Sequence, residues 1–366
     1  MTLKRLTRKQ LYTVINQRQK QIRNQRDAGL IARSTEKGIQ TALETFKRTF
    51  PTERFVKDLE GVDFDHYFNT TLLNIKTEFE NKADMRAHKL GEAAKPSNSN
   101  KKSYEGYADK TRQHIRSVVK DMFADLVAKG ELRVNPIEKM SQPVRSVGNF
   151  TATKAYTTDE IKRLMDVRSE DGVVQAFLVG CEEGLRVSEV LALTAGNYCK
   201  SESTYKVTHA IVLGEMKETK TTESKRHITL SKLSCLIFNE IIDSGELLEY
   251  SHPMVVEGDE VECTNQFFFY NKDTDKYWWD STHIYRALKP YFKLANVEFR
   301  GMQPCRHSFV NRAIESDREE KDVAAHIGHT NVHTLKKHYL SWEVNLRGSK
   351  DFRESRNEES MYHFYA

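Results

Sequence analysis

The sequence predicts a mainly α fold with a small antiparallel β-sheet, divided into two domains. Three observations carry this. Apolar residues recur at helical spacing through two stretches before residue 130, and a Pro-interrupted segment follows near residues 136–154. Short β-branched runs are confined to residues 205–230 of a second half that is otherwise helical in pattern.

Taken in order, residues 40–80 place Leu43, Phe46, Phe50, Phe55, Leu59, Tyr67, Leu72, Leu73, Ile75 and Phe79 on apolar helical faces between charged positions. The run AAKPSNSNKKS at residues 93–103 is polar and lacks periodicity, so it reads as a loop. A second helix is expected from Asp109 to Gly130, with Ile115, Val118, Val119, Met122, Phe123, Leu126 and Val127 in one stripe. Gly130 supplies its stop, and Asn135-Pro136 closes the region.

Pro136, Pro143 and Gly148 then interrupt a stretch with little apolar pattern, which reads as a linker. Thr157-Thr158-Asp159-Glu160 has the form of a capping box ahead of Ile161, Leu164 and Met165, marking a new helix and a new domain. An apolar helix starting at Val173 ends near Glu183-Gly184. Tyr205–Thr208, Ala210–Leu213 and Arg226–Leu230 read as strands, with polar Glu218 to Ser224 between the last two. Helices resume at Ser231–Ile242, Ser281–Leu294, Gln303–Glu315, Asp317–Ala325 and Val332–His338.

Composition narrows the function. A charged fraction of 30% and a mean hydropathy of -0.66 are ordinary for a soluble protein, and no run approaches the roughly 20 apolar residues that span a bilayer. Hence no membrane partner is expected. The start, MTLKRLTRKQ, lacks the apolar core of a secretory signal. Five scattered cysteines without a CxxC pair read as reduced thiols in a cytosol-like compartment. Net charge is only +5, but the first 35 residues hold Lys4, Arg5, Arg8, Lys9, Arg18, Lys20, Arg23, Arg26 and Arg33 against Asp27 alone. Such a face is either solvated or turned toward a polyanion.

The residues that carry chemistry are scattered. Arg186 stands in GLRVSE at a turn-to-helix junction, and Arg306 in CRHS near the start of another helix. Lys220 lies at the tip of a strand pair, Gly328-His329 follows, and Tyr339 comes ten residues after His329. Singly, each has a bland reading as a surface, solvated or packing residue. Their order and spacing together strongly resemble the tyrosine recombinase (phage integrase) family, whose catalytic domain runs Arg, β-turn Lys, His-x-x-Arg, His or Trp, then Tyr. Arg186 matches the first arginine, with Glu189 as its acidic companion, and Lys220 the lysine, followed by Arg226-His227-Ile228. Arg306, His329 in Ile327-Gly328-His329, and Tyr339 complete the set. One departure stands out: Gln303 occupies the place of the first histidine. Glutamine can donate a hydrogen bond to phosphate but cannot exchange a proton near neutral pH.

The resemblance spans about residues 40–345 and implies a helical, SAM-like core-binding domain (40–140), a linker (141–154) and an α+β catalytic domain (155–345). Residues 1–39 would form a basic extension able to contact DNA, through Lys4, Arg5, Arg8, Lys9, Arg18, Lys20 and Arg23. Residues 346–366 would form a tail against a neighbouring subunit. It implies a nucleophile at Tyr339, a phosphate clamp of Arg186 and Arg306, a general acid at Lys220, a phosphate donor at His329 and an orienting role for Glu189. Double-stranded DNA with specific sites, a homotetramer on that DNA, and a host DNA-bending protein or an excisionase are the implied partners. Neither a metal nor another cofactor is implied, and the expected setting is a bacterial or viral-host cytoplasm.

Physical logic agrees with that chemistry. Two guanidiniums can grip the non-bridging oxygens of a phosphodiester and stabilise the extra charge of its five-coordinate transition state. A phosphotyrosine link conserves the ester bond, so strand joining needs no ATP. Tyr362 and Tyr365 rival Tyr339 by residue type, but they lack its spacing from the histidine. His326, His329 and His333 at helical spacing, with His338 beyond, invite a metal, yet no carboxylate ligand is evident beside them.

Overall fold

The computed structural model describes residues 9–77, 104–138, 140, 154–167, 169, 171–219, 224–256, 259–329 and 331–335. The chain divides between Asn149 and Phe150 into two compact units.

The first unit is helical. Its elements are α1 (Leu11–Asp27), α2 (Arg33–Thr49), α3 (Gly61–His66) and α4 (Asp109–Ala128). A π turn at Tyr67–Thr71 and a last turn at Leu72–Asn74 extend α3, and β1 (Lys76–Thr77) pairs antiparallel with β2 (Tyr104–Glu105). Rings fill the centre: Phe50 stacks on Phe64 at 5.3 Å, and Phe64 meets Phe123 of α4 edge-on at 5.2 Å. The stripe expected on α4 lies inward through Ile115, Val119, Met122, Phe123 and Leu126. Two arginines extend it, Arg112 donating to the Phe68 carbonyl (3.0 Å) and Arg116 to that of Met140 (2.7 Å). Helix α1, drawn from the basic extension, buries Leu11, Val14 and Ile15 in this same core. Their spacing makes an apolar stripe beneath the basic face, so the described part of the extension is built into the helical unit.

The second unit begins with α5 (Thr158–Met165), whose capping box is present: Glu160 N donates to Thr157 Oγ1 (3.2 Å) and Thr157 N to Glu160 Oε2 (2.9 Å). Helix α6 (Val173–Glu183) is buried nearly all round and serves as the central post. Around it come α7 (Val187–Val190), β3 (Tyr198–Cys199), β4 (Thr204–Val207), β5 (His209–Val212), β6 (Glu215–Glu218) and β7 (Arg226–Thr229). Then follow α8 (Lys232–Ser244), β8 (Leu248–Val256), β9 (Asp259–Phe267), β10 (Tyr270–Asn271) and β11 (Lys276–Tyr277). The unit continues with α9 (Ser281–Leu294), α10 (Gln303–Glu315), α11 (Glu320–Ile327) and α12 (Val332–Leu335). The fold is mainly α with small, chiefly antiparallel sheets.

One sheet has the order β3-β4-β7, and a second has β5-β6-β8-β9, with β6 and β8 parallel. This corrects the expected strand pair around Lys220: an additional strand, β6, precedes it, and β6 and β7 lie in different sheets. The cause is the Leu213-Gly214 turn, where both residues have positive φ (54° and 78°) and reverse the chain into a tight hairpin. A Cβ on Gly214 would stand 2.3 Å from the Trp279 ring, so only glycine fits this turn. The long β8–β9 hairpin was also unexpected, because its charged and polar residues mask the strand pattern.

Candidate active site

Helix α6 stops at Gly184, in the left-handed conformation (φ 62°). A Cβ there would meet Phe309 of α10 at 2.7 Å, so glycine lets the turn press against that helix. Leu185 is buried behind the turn, and Arg186 opens α7 with its side chain about one-third exposed (37%). Glu189 holds it twice: Arg186 Nη1 donates to Oε1 (2.7 Å) and the Arg186 backbone N to Oε2 (3.0 Å). The fork thus stays fixed in direction while part of it remains open to solvent.

Arg306 lies on the first turns of α10 and is 2% exposed. Its Nη1 donates to the Gly184 carbonyl at 3.1 Å, two residues before Arg186. Folding thus brings Arg306 onto the turn just before Arg186, 120 positions earlier in sequence. Gln303 is the first residue of α10, exposed and one turn before Arg306; His307 is half-buried.

A third arginine shares Glu189 with Arg186. Arg226 on β7 is buried and donates from Nη2 to Glu189 Oε2 (3.1 Å) and from Nη1 to Oε1 (3.4 Å). Burial alone would raise the Glu189 carboxyl, but Arg226 and then Arg186 outweigh it and hold Glu189 below the ordinary carboxylate range. Arg226 Nε also donates to the His326 carbonyl (2.5 Å), in the last turn of α11. That helix ends at Gly328, where His329 N donates to the Ala324 carbonyl (2.9 Å), and the His329 side chain is half-buried. Arg226 is not one of the residues to which the family pattern assigns a role. The available signal was its strand register: Arg226 and Ile228 alternate inward while His227 and Thr229 face out.

The imidazole of His326 is engaged elsewhere, stacked on Phe309 at 4.7 Å with Nε2 3.6 Å from buried Glu183. Among the described residues, no three His, Cys, Asp or Glu side chains gather as metal ligands. No described helix is long and apolar enough to cross a membrane.

Lys220 and Tyr339 lie outside the described residues, as do His338, Lys4, Arg5, Arg8, Tyr362, Tyr365 and the tail. Their flanks are placed. Lys225 pairs with Glu218 at 2.8 Å, closing the base of the segment that holds Lys220, and α12 leads the chain toward Tyr339. Of the basic N-terminal residues, Lys9 pairs with Glu131 (3.0 Å) and Arg18 donates to Gln21 (3.0 Å), while Lys20 and Arg23 are exposed on α1.

The model of the phage integrase family matches residues 154–344. No curated protein sequence matches the chain. Among solved structures, the Tn1549 transposon integrase in complex with a circular intermediate DNA is similar, with a TM-score of 0.62 at 13% identity over 92% of this chain and 98% of that one. A lambda integrase dimer bound to a COC′ core site has a TM-score of 0.58 at 14% identity, covering 90% of this chain and 77% of that one. A lambda integrase tetramer bound to a Holliday junction has a TM-score of 0.58 at 13% identity, covering 91% and 78%. At these identities the likeness is one of fold. The family model, which spans more than half of the 366 residues, decides membership: the protein belongs to the phage integrase family, the tyrosine recombinases of site-specific DNA recombination.

Proposed function

We propose that the protein cleaves and rejoins DNA strands through a 3′-phosphotyrosine at Tyr339, and so integrates or excises a phage or another mobile element. The observation that carries this is the Arg306–Gly184 hydrogen bond, which sets the second arginine beside the turn that presents the first. Together they would grip the non-bridging oxygens of one phosphodiester, each such donor contributing on the order of 3 kcal/mol in the transition state. Attack by the Tyr339 oxygen on phosphorus forms the phosphotyrosine and breaks the bond to the 5′-oxygen. Lys220 protonates that leaving oxygen, and the 5′-hydroxyl of the partner strand reverses the step. His329 donates to the phosphate, and Glu189 orients Arg186.

No metal or ATP enters this scheme. Exchange between two duplexes requires four such sites, hence a tetramer on DNA, acting in a bacterial or viral-host cytoplasm. A DNA-bending host protein or an excisionase would set its direction. Lys20 and Arg23 on α1 would add phosphate contacts, making binding fall steeply with salt.

The test is a nicked duplex carrying the attachment site, taken from DNA beside the encoding gene. A covalent adduct on a denaturing gel that survives chelator and disappears in Tyr339→Phe is expected. Binding without an adduct would favour a fold that has lost catalysis, for which Gln303 is the motive. Cleavage abolished by chelator, with no adduct, would mean a metal-dependent nuclease.

A further inference from the structure

We infer that Arg226 is a positioning residue that locks Arg186, through Glu189, and the end of the helix before His329 into one working geometry. The inference rests on the recombinase reading above and deepens it. Every nitrogen of the Arg226 guanidinium meets a segment that bears a proposed catalytic residue. Nη2 and Nη1 hold the two oxygens of Glu189, which in turn fixes Arg186. Nε holds the carbonyl of His326, three residues before His329. Nη1 also donates to the carbonyl of Ser224 (3.2 Å), four residues after Lys220.

The alternative is a buried ion pair that only stabilises the fold. Burial of such a pair is a poor way to gain stability, because desolvation offsets the attraction. The partners also argue for position: two of the three contacts are main-chain carbonyls in the segments that lead to or from Lys220 and His329. A planar fork can serve three directions at once, whereas a lysine ammonium on a flexible stem cannot reproduce them. The charged groups facing Glu189 are Arg186 from its own turn and Arg226 from β7. Behind Arg226, His326 of α11 faces Glu183 of α6.

The test uses the full chain, single-turnover cleavage of the nicked attachment-site duplex, and duplex affinity measured in parallel. Arg226→Lys is expected to slow adduct formation by about 10- to 100-fold, the penalty for small misplacements in a site, while Kd changes less than about threefold and the thermal melt stays cooperative. Arg226→Met keeps the volume but leaves Glu189 with one cation fewer. Its carboxyl then rises under burial, and protonation releases Arg186. The Arg226→Met pH–rate profile should therefore gain a falling acid limb that the native enzyme lacks. In a Glu189→Gln background, adding Arg226→Met should slow cleavage by less than it does in the native chain, because the shared Glu189 contact is already weakened and only the holds on His326 and Ser224 remain to be lost.

Native rates in Arg226→Lys would overturn the proposal while leaving the recombinase reading intact. So would losses of cleavage and affinity in equal proportion, or effects of Arg226→Met and Glu189→Gln that multiply. If Arg226→Met does not fold, Arg226→Lys and the affinity–rate split decide. Absence of any adduct with the native chain would instead overturn the recombinase reading, and this proposal with it.

Discussion

Arg306 donates from Nη1 to the carbonyl of Gly184 at 3.1 Å, tying one arginine of the site to the turn that presents the other. A guanidinium can hold that carbonyl with one arm and still aim another at an anion. A lysine ammonium lacks the planar fork that spans both acceptors in fixed directions. Arg306→Lys should therefore lower single-turnover cleavage by about 10²- to 10³-fold, with duplex affinity nearly unchanged. Equal cleavage by the two proteins would remove Arg306 from the phosphate clamp.

Gly184 should tolerate no side chain. Alanine at φ 62° would be strained and would bring its methyl to 2.7 Å from the Phe309 ring. Left-handed backbone and overpacking together should destabilise the second unit by roughly 2–4 kcal/mol. At about 2–4 °C per kcal/mol for a unit of this size, Gly184→Ala should lower Tm by roughly 5–15 °C. Calorimetry checks this, and an unchanged Tm would mean that the turn is far softer than its packing indicates.

Gln303 offers a gain-of-function test. It is exposed at the start of α10, so Gln303→His perturbs no core. A histidine there can exchange a proton near neutral pH, as glutamine cannot. Cleavage should accelerate several-fold at pH 7 and acquire a dependence on pH near 6–7. A rate equal to or below native at every pH would show that proton transfer does not limit this enzyme.

Stability should carry an acid-side dependence through Arg300 and Glu160. Arg300 donates from Nη1 and Nη2 to Glu160 (3.0 and 2.5 Å), and its guanidinium lies 4.3 Å from the Tyr156 ring centre. Burial alone would raise the Glu160 carboxyl, but Arg300 and the Thr157 N–H hold it below its ordinary value. A lowered folded-state value means that this stabilisation is present above the ordinary carboxylate range and disappears as pH falls through the folded value. Arg300→Met should cost about 2 kcal/mol near pH 7. The Tm gap from the native protein should narrow toward pH 3. A gap independent of pH would assign the loss to packing on Tyr156 alone.

Much of this was legible in the sequence. The α10 bounds, the Thr157 capping box and the inward stripe of α4 follow from local periodicity and end chemistry, which act within a few residues. The residues of the candidate site were legible as a spaced set, but their contacts were not. Nothing local indicates that Arg306 meets Gly184, or that Arg226 reaches His326 across 100 positions. The β6 strand carries no local signal, because Glu215-Met216-Lys217-Glu218 has a single apolar residue, Met216, facing inward. Its pairing is set by the Leu213-Gly214 turn and by the Trp279 ring above it, the second a contact more than 60 residues away.

That same Trp279 ring has an optical consequence. The chain has three indoles, at positions 278, 279 and 342. Trp278 is shielded in the core, Trp279 caps the hairpin whose second strand leads toward Lys220, and the third follows Tyr339 by three residues. Intrinsic emission from Trp279 therefore reports on that hairpin without a dye. Replacing Trp342 with phenylalanine would leave two indoles, of which the more exposed Trp279 would time the arrival of a duplex beside the hairpin.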